Sequence, residues 1–181
     1  LVGSDMCIRD RLKAHCAANS WREFLLMQTE KPDPSTDPGR GRRLGLDVGT
    51  VRIGVAISDP DCILATPVET VQASTDDADV QRVVEICREN FVVEIVVGLP
   101  VALRGNHTQS TFNAEEFARL VQEELPDVPL RMVDERMSTM AATQAFHASG
   151  VNSKKGRKKI DQAAAVHILQ GWLDTRRRAL S

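Results

Sequence analysis

The sequence predicts an α/β domain around a parallel-centred sheet, with the element order βββαβαβα and one further helix. Three observations carry this expectation. Residues 44–71 hold three short extended runs separated by tight turns. Residues 91–97 are nearly all apolar, as in a strand covered on both faces. Apolar residues recur at helical spacing in the segments between and after the later strands.

Residues 44–48 form a short apolar strand closed by Gly49, and 52–58 alternate as a β-rich run. Residues 62–71 are a third extended run, broken by Pro67, so the three together suggest a meander. In 76–90, Val80, Val83, Val84, Ile86 and Cys87 fall at near-helical spacing. The strand at 91–97 ends in Gly98-Leu99-Pro100, and 101–108 is a mostly polar loop. Residues 111–124 form an amphipathic helix through Phe112, Phe117, Leu120 and Val121, stopped before Pro126. A last short strand covers 130–133. Residues 138–149 are helical with Gly150 as C-cap. Residues 160–178 are a helix with Ala164, Ala165, Ile168, Leu169 and Trp172 on one stripe. No internal repeat is visible.

The chain has 181 residues, with 42% hydrophobic and 27% charged side chains. That length suits one domain, which buries roughly 70% of its unfolded surface. The composition excludes a collagen, a disulfide miniprotein and a fully disordered chain. No apolar run approaches the ~20 residues of a membrane helix, and no secretory segment is seen, so a cytoplasmic protein is expected. Cys7, Cys16, Cys62 and Cys87 contain no CxxC pair and read as reduced, inert thiols.

Residues 1–42 are expected to be a disordered or artefactual N-terminal extension, and 43–178 the folded domain. Segment 31–43 is rich in Pro, Gly and charge and reads as a flexible linker. Position 1 is not Met, and Leu1-Val2-Gly3-Ser4 and Met6-Cys7-Ile8-Arg9-Asp10-Arg11 resemble a translated transposon sequencing adapter.

Net charge is −2, but its distribution is uneven. Residues 76–135 carry 13 acids against 5 bases, and 136–181 carry 2 acids against 9 bases. The basic end could meet a polyanion.

Four motifs could carry chemistry. Asp47 stands in an otherwise apolar strand, next to Gly49 and Thr50. A charge there is costly unless a cation sits on it, or unless the side chain only caps the turn. Asp134 and Glu135 follow the last strand, where open α/β sheets collect ligands; alternatively they form a solvated acidic turn paired with Arg136. Asp161 shares a helical face with Ala164, Ala165 and Ile168, so it either points inward or serves the helix start. Lys154, Lys155, Arg157, Lys158 and Lys159 precede it, as a solvated loop or a phosphate-tracking one. His107 reads as a polar-loop histidine, and His147 and His167 as packing or surface residues. No hydrolase triad is evident. With 4% aromatics and no tyrosine, a base-stacking platform is not expected.

Three acids on separate elements, brought to one sheet edge, would favour Mg²⁺ or Mn²⁺. Two such ions roughly 4 Å apart can activate water and stabilise the leaving oxygen of a phosphodiester.

Asp47-Val48-Gly49-Thr50 with Arg52-Ile53-Gly54-Val55-Ala56, then Val97-Gly98-Leu99-Pro100, Asp134-Glu135-Arg136, and the basic run into Ile160-Asp161-Gln162-Ala163-Ala164-Ala165 together resemble the YqgF/RuvX family. The resemblance covers about 43–174. It implies a ribonuclease-H-like fold, a five-stranded mixed sheet flanked by helices. It also implies a nuclease, described either as maturing the 5′ end of pre-16S rRNA or as a Holliday-junction resolvase. By the same resemblance Asp47, Glu135 and Asp161 are the metal-binding and catalytic acids, with Asp47 bridging both ions and Asp134 a lesser candidate. Val101-Ala102 departs from the family pattern.

The expected protein is thus a Mg²⁺-dependent nuclease acting on structured RNA or branched DNA, as a monomer or homodimer. The five cations at 154–159 would contact phosphates. One rival is an ATP-binding domain, since Asp-x-Gly-Thr also resembles the phosphate loop of the sugar-kinase and actin superfamily. The chain is short for a two-lobed cleft and lacks a late Gly-Gly motif. Another rival is a non-catalytic RNA-binding ribosome-assembly factor.

Overall fold

In the computed structural model the described residues are 31–100, 109–134 and 154–181, with side chains from 160 onward in the last segment. Three strands come first: β1 (Arg42–Val48), β2 (Arg52–Ser58) and β3 (Ala65–Gln72). They are followed by α1 (Ala78–Glu89), β4 (Val92–Leu99), α2 (Gln109–Glu124), β5 (Leu130–Asp134) and α3 (Lys154–Leu180). The sheet order is β3-β2-β1-β4-β5. The first three strands form an antiparallel meander, β4 runs parallel to β1, and β5 runs parallel to β4. This is the mixed five-stranded, helix-flanked sheet that the resemblance implied. No helix among the described residues is long and apolar enough to cross a membrane.

Strand alternation divides the core into two layers. Leu44, Leu46 and Val48 of β1 and Ile95, Val97 and Leu99 of β4 pack with Val83, Val84, Phe117 and Leu120 of α1 and α2. On the other face Ala56 and Val96 pack with Ala165, Ile168, Leu169 and Trp172 of α3. Burial on both faces accounts for the nearly unbroken apolar runs of β2 and β4.

Several sequence expectations are corrected in detail. Pro67 does not break β3, because β3 is an edge strand where a missing N–H is tolerated. The ladder absorbs it with a bulge: Val55 pairs with Glu69 but Ala56 with Pro67. Phe91 is 85% exposed, in a left-handed turn before β4, rather than part of the buried strand. Phe112 lies off the buried stripe of α2, which runs through Thr111, Ala114, Phe117, Ala118 and Val121. The basic run at 154–159 is not a loop but the first turns of α3. Lysine and arginine are good helix formers, which here outweighs the unfavourable placement of cations at a helix N-terminus. The helix expected at 138–149, with Gly150, lies outside the described residues.

The flexible linker expected at 31–43 is also revised. Asp37 accepts hydrogen bonds from Arg176 Nε at 2.5 Å and Nη2 at 2.8 Å, and β1 begins at Arg42. Asp37 also stands 3.6 Å from the fully buried Arg43. Arg43 Nε donates to Glu94 Oε2 at 3.2 Å, and Trp172 Nε1 donates to the same oxygen at 3.0 Å. Arg131 reaches Oε1 of Glu94 at 3.4 Å. This polar hub ties residues 37–43, β4, β5 and α3 together, because a buried charge needs both a counter-charge and hydrogen bonds. Composition reads Asp37 as linker; its pairing across the fold makes it structural.

The Cys62 thiol lies in the same hub, 2.6 Å from Arg43 Nη1, and Cys87 is buried under the sheet. Burial pushes the Cys87 thiol up to about 12, so it stays protonated, and both cysteines are free. Cys7 and Cys16 lie outside the described residues.

Two glycines set the depth at which α3 lies. A Cβ on Gly45 would stand 2.6 Å from Leu169 Cβ and 3.0 Å from the Ala165 carbonyl oxygen. A Cβ on Gly54 would overlap the carbonyl of Asp161 outright. Residues 161, 165 and 169 lie one turn apart on a single helix face, so this face rests on bare backbone of β1 and β2. Gly54→Ala is expected to lower the unfolding free energy by about 3 kcal/mol, since the obstacle is main chain and cannot rotate away. Urea denaturation measures it; an unchanged midpoint would contradict the close contact.

Burial pushes the Asp37 carboxyl up, but Arg176, the Gly39 amide and Arg43 outweigh it and hold the group below its ordinary value of 3.8. A carboxylate held below its unfolded value stabilises the fold above that value and loses its contribution as pH falls through the folded one. Asp37→Asn should therefore be less stable than wild type at neutral pH. The gap should close as pH drops below 3.8. Denaturant midpoints of both proteins across acidic pH test this.

Candidate active site

The β1–β2 turn is short and held by backbone. The Gly49 N–H donates to the Arg52 carbonyl at 3.0 Å, and a side chain at Gly49 would lie 2.7 Å from that oxygen. The Ala73 N–H donates to Val51 O at 3.0 Å, tying the turn to the end of β3. Asp47 therefore sits one residue before a rigid corner.

Alternation places Leu46 and Val48 in the α1/α2 layer, and Asp47 with Gly45 on the α3 face. Asp47 is half-buried, as an acid at the end of an apolar strand should be if it serves a ligand at the sheet edge. Its register partner is Gly54. Directly opposed residues of an antiparallel pair share a face. Gly54 is also the position over which the backbone of Asp161 lies. The backbone of Asp161, 114 positions from Asp47 in sequence, thus lies over the cross-strand partner of Asp47.

Asp161 enters with a partner. Arg52 Nε donates to Asp161 Oδ2 at 2.6 Å, with the two side chains 24% and 22% exposed. Arg52 lies two residues before Gly54, so it projects from the same face of β2. Arg52 stands in the motif that begins at Asp47, where local sequence assigns it no role. The available signal was its spacing: two residues before a glycine in an alternating strand means the same face.

The basic stretch at 154–159 leads directly into Asp161. α3 runs from Asp161 over Gly54 toward Leu169 over Gly45, antiparallel to β1. Its first turns therefore continue roughly 10 Å past Asp161, beyond the Asp47 end of the strand.

Other candidates fall elsewhere. Asp134 pairs in register with Leu99, which belongs to the α1/α2 layer, so Asp134 ends β5 on the opposite face from Asp47. Glu135 and His107 lie outside the described residues, as does His147. Among the described residues no three acid, histidine or cysteine side chains form a metal cluster. A cavity of about 250 Å³ opens beside the same turn, lined by Gly49, Thr50, Ser74, Asp79 and Asn113. It also takes in Val48 and Phe117, so it lies on the α1/α2 side, away from the sheet face that carries Asp47 and Gly54.

The arrangement suits a hard cation. Its donors are carboxylate oxygens, and a positive group, the Arg52 guanidinium, already stands on one of them.

The family model RuvX, described as Holliday junction resolvase, matches residues 41–175. A protein of Corynebacterium jeikeium (strain K411) named "putative pre-16S rRNA nuclease" is 94% identical over 155 residues, 86% of this chain and 100% of its own length. A protein of the same name from Nocardia farcinica is 55% identical, covering 82% of this chain and 86% of its own. In fold, the chain is similar to T. thermophilus RuvC in complex with a Holliday junction substrate. The TM-score is 0.53 at 15% identity, covering 77% of this chain and 97% of that one. The chain belongs to the RuvX family, and it is a nuclease, a hydrolase of nucleic-acid phosphodiester bonds.

Proposed function

We propose that this protein is a Mg²⁺-dependent nuclease that processes the 5′ end of pre-16S rRNA in the cytoplasm during ribosome biogenesis. One observation carries this reading: Asp161 is laid over Gly54, the cross-strand partner of Asp47, directly behind a basic helical stretch. Relatives that bear the pre-16S nuclease name support the substrate.

Asp47, Glu135 and Asp161 are the residues assigned to Mg²⁺ or Mn²⁺. Asp134 is left out of this set, since it closes β5 on the opposite face from Asp47. Divalent ions held there supply charge for water activation and for the leaving oxygen of a phosphodiester. The chain's own residues orient and neutralise. Asp47 is fixed by the β1–β2 corner, and Asp161 by the packing of α3. Lys154, Lys155, Arg157, Lys158 and Lys159 precede Asp161 and are assigned to the sugar–phosphate backbone, which gives affinity and register rather than sequence choice. The catalytic unit is 43–178, with residues 37–42 packed against it.

The RuvX description favours a second substrate, a four-way DNA junction. Cutting a junction needs two strands severed and so a symmetric dimer, while a single RNA cut suits a monomer.

Labelled pre-16S 5′-leader RNA and a four-way junction are incubated with wild type and with Asp47→Asn, in Mg²⁺ and in EDTA. The RNA should be cut by wild type in Mg²⁺ alone. Loss of a residue behind a metal ligand already costs 10–100-fold, so loss of the ligand Asp47 should cost at least about 100-fold. Cleavage of the junction alone would move the protein to branched DNA. Binding without cleavage in both metal conditions would make it a non-catalytic assembly factor.

A further inference from the structure

We propose that Arg52 is a charge latch on the metal site: in the metal-free protein it holds the Asp161 carboxylate, and a divalent cation must displace it to bind. This rests on the reading of Asp47 and Asp161 as metal ligands.

The geometry makes Arg52 a competitor rather than a bystander. Its Nε reaches Asp161 Oδ2 at 2.6 Å. At 24% and 22% exposure the pair lies where solvent and a small hydrated cation reach it. The guanidinium is donor-only, so it and a cation claim the same carboxylate lone pairs. Arg52 and Asp47 are diagonal neighbours on one sheet face, since Asp47 pairs with Gly54 and Arg52 lies two residues before it. The displaced side chain thus remains at the rim of the site.

Only the side chain has to move. The Arg52 carbonyl is held by the Gly49 amide and the Val51 carbonyl by the Ala73 amide. Facing carboxylates repel one another in the absence of a cation. Arg52, on Asp161 and diagonal to Asp47, supplies positive charge between the two acids before metal arrives. Once released, a guanidinium pairs well with a phosphodiester oxygen. A bound nucleic-acid strand therefore draws Arg52 from Asp161 and raises metal affinity, and by linkage the metal raises affinity for the strand.

Mn²⁺ binding to the full chain, followed by the electron-paramagnetic signal of free Mn²⁺, tests this without nucleic acid and without turnover. Arg52→Gln should bind Mn²⁺ about fivefold tighter than wild type, the worth of a partly exposed ion pair. Arg52→Lys, which keeps the charge but loses the fork, should bind about twofold tighter and serves if the glutamine variant does not fold. Metal-free melting moves the other way, with Arg52→Gln unfolding at lower temperature. Affinity equal to or weaker than wild type in both variants, while Asp47→Asn abolishes binding, overturns the latch and leaves the metal site standing. Mn²⁺ binding untouched by Asp47→Asn overturns the metal site and the latch with it.

Discussion

A helix can rest directly on the backbone of a sheet only where no side chain holds it off, and this contact organises the rest of the molecule. Gly45 and Gly54 leave β1 and β2 bare along one strip, and the face of α3 bearing Asp161, Ala165 and Leu169 settles onto it. The same contact seals one hydrophobic layer and sets the height of Asp161 above the sheet. Packing alone therefore brings Asp161 over the register partner of Asp47, without any dedicated loop. The neighbouring Ala163, Ala164 and Ala165 keep the helix slim near this approach.

The two ends of α3 treat charge differently. Toward its C-terminus, Trp172 and Arg176 join Glu94, Arg43 and Asp37 in a hub whose partners are all protein groups. Such a hub costs about as much in desolvation as it returns, but it ties four segments together and resists rearrangement. Toward the N-terminus, Asp161 pairs with Arg52, on a side chain that solvent reaches. One end is a fixed anchor, and the other is an electrostatic surface able to exchange partners. A nuclease needs both, because its acids must stand at defined positions while metal and substrate come and go.

Much of this was legible in the sequence because strands and helices impose periods. The three short strands, the apolar β4 and the stripe of α3 follow from alternation and helical spacing. The spacing alone leaves Asp161 either inward or at a helix start, and α3 decides it by beginning earlier, at Lys154, and laying the Asp161 backbone over Gly54. What stayed hidden depends on pairing between distant positions. Nothing local marks Asp37 as a partner of Arg176, 139 positions away, so a packed segment reads as linker. Pro67 reads as a break because edge and centre strands differ only in the assembled sheet. The basic run reads as a loop because charge obscures a helix that neighbouring turns propagate. Arg52 had a place in a motif but no task until Asp161 stood opposite it.

The pairing of Asp47 with Gly54 also bears on how the chain avoids folding wrongly. A hairpin slipped by one residue turns every side chain to the opposite face. Such a slip in the β1–β2 ribbon would set Ile53 or Val55 where the bare backbone of Gly54 is needed. The terminal helix, finding a branched side chain in its path, could not settle, and Trp172 would remain uncovered. The error would be read out late, by a segment more than a hundred residues downstream, as a molecule with a greasy unsealed flank. The absent methyl group at position 54 thus acts as a quality check on the first hairpin, and a correctly threaded ribbon is the one that gains its final layer.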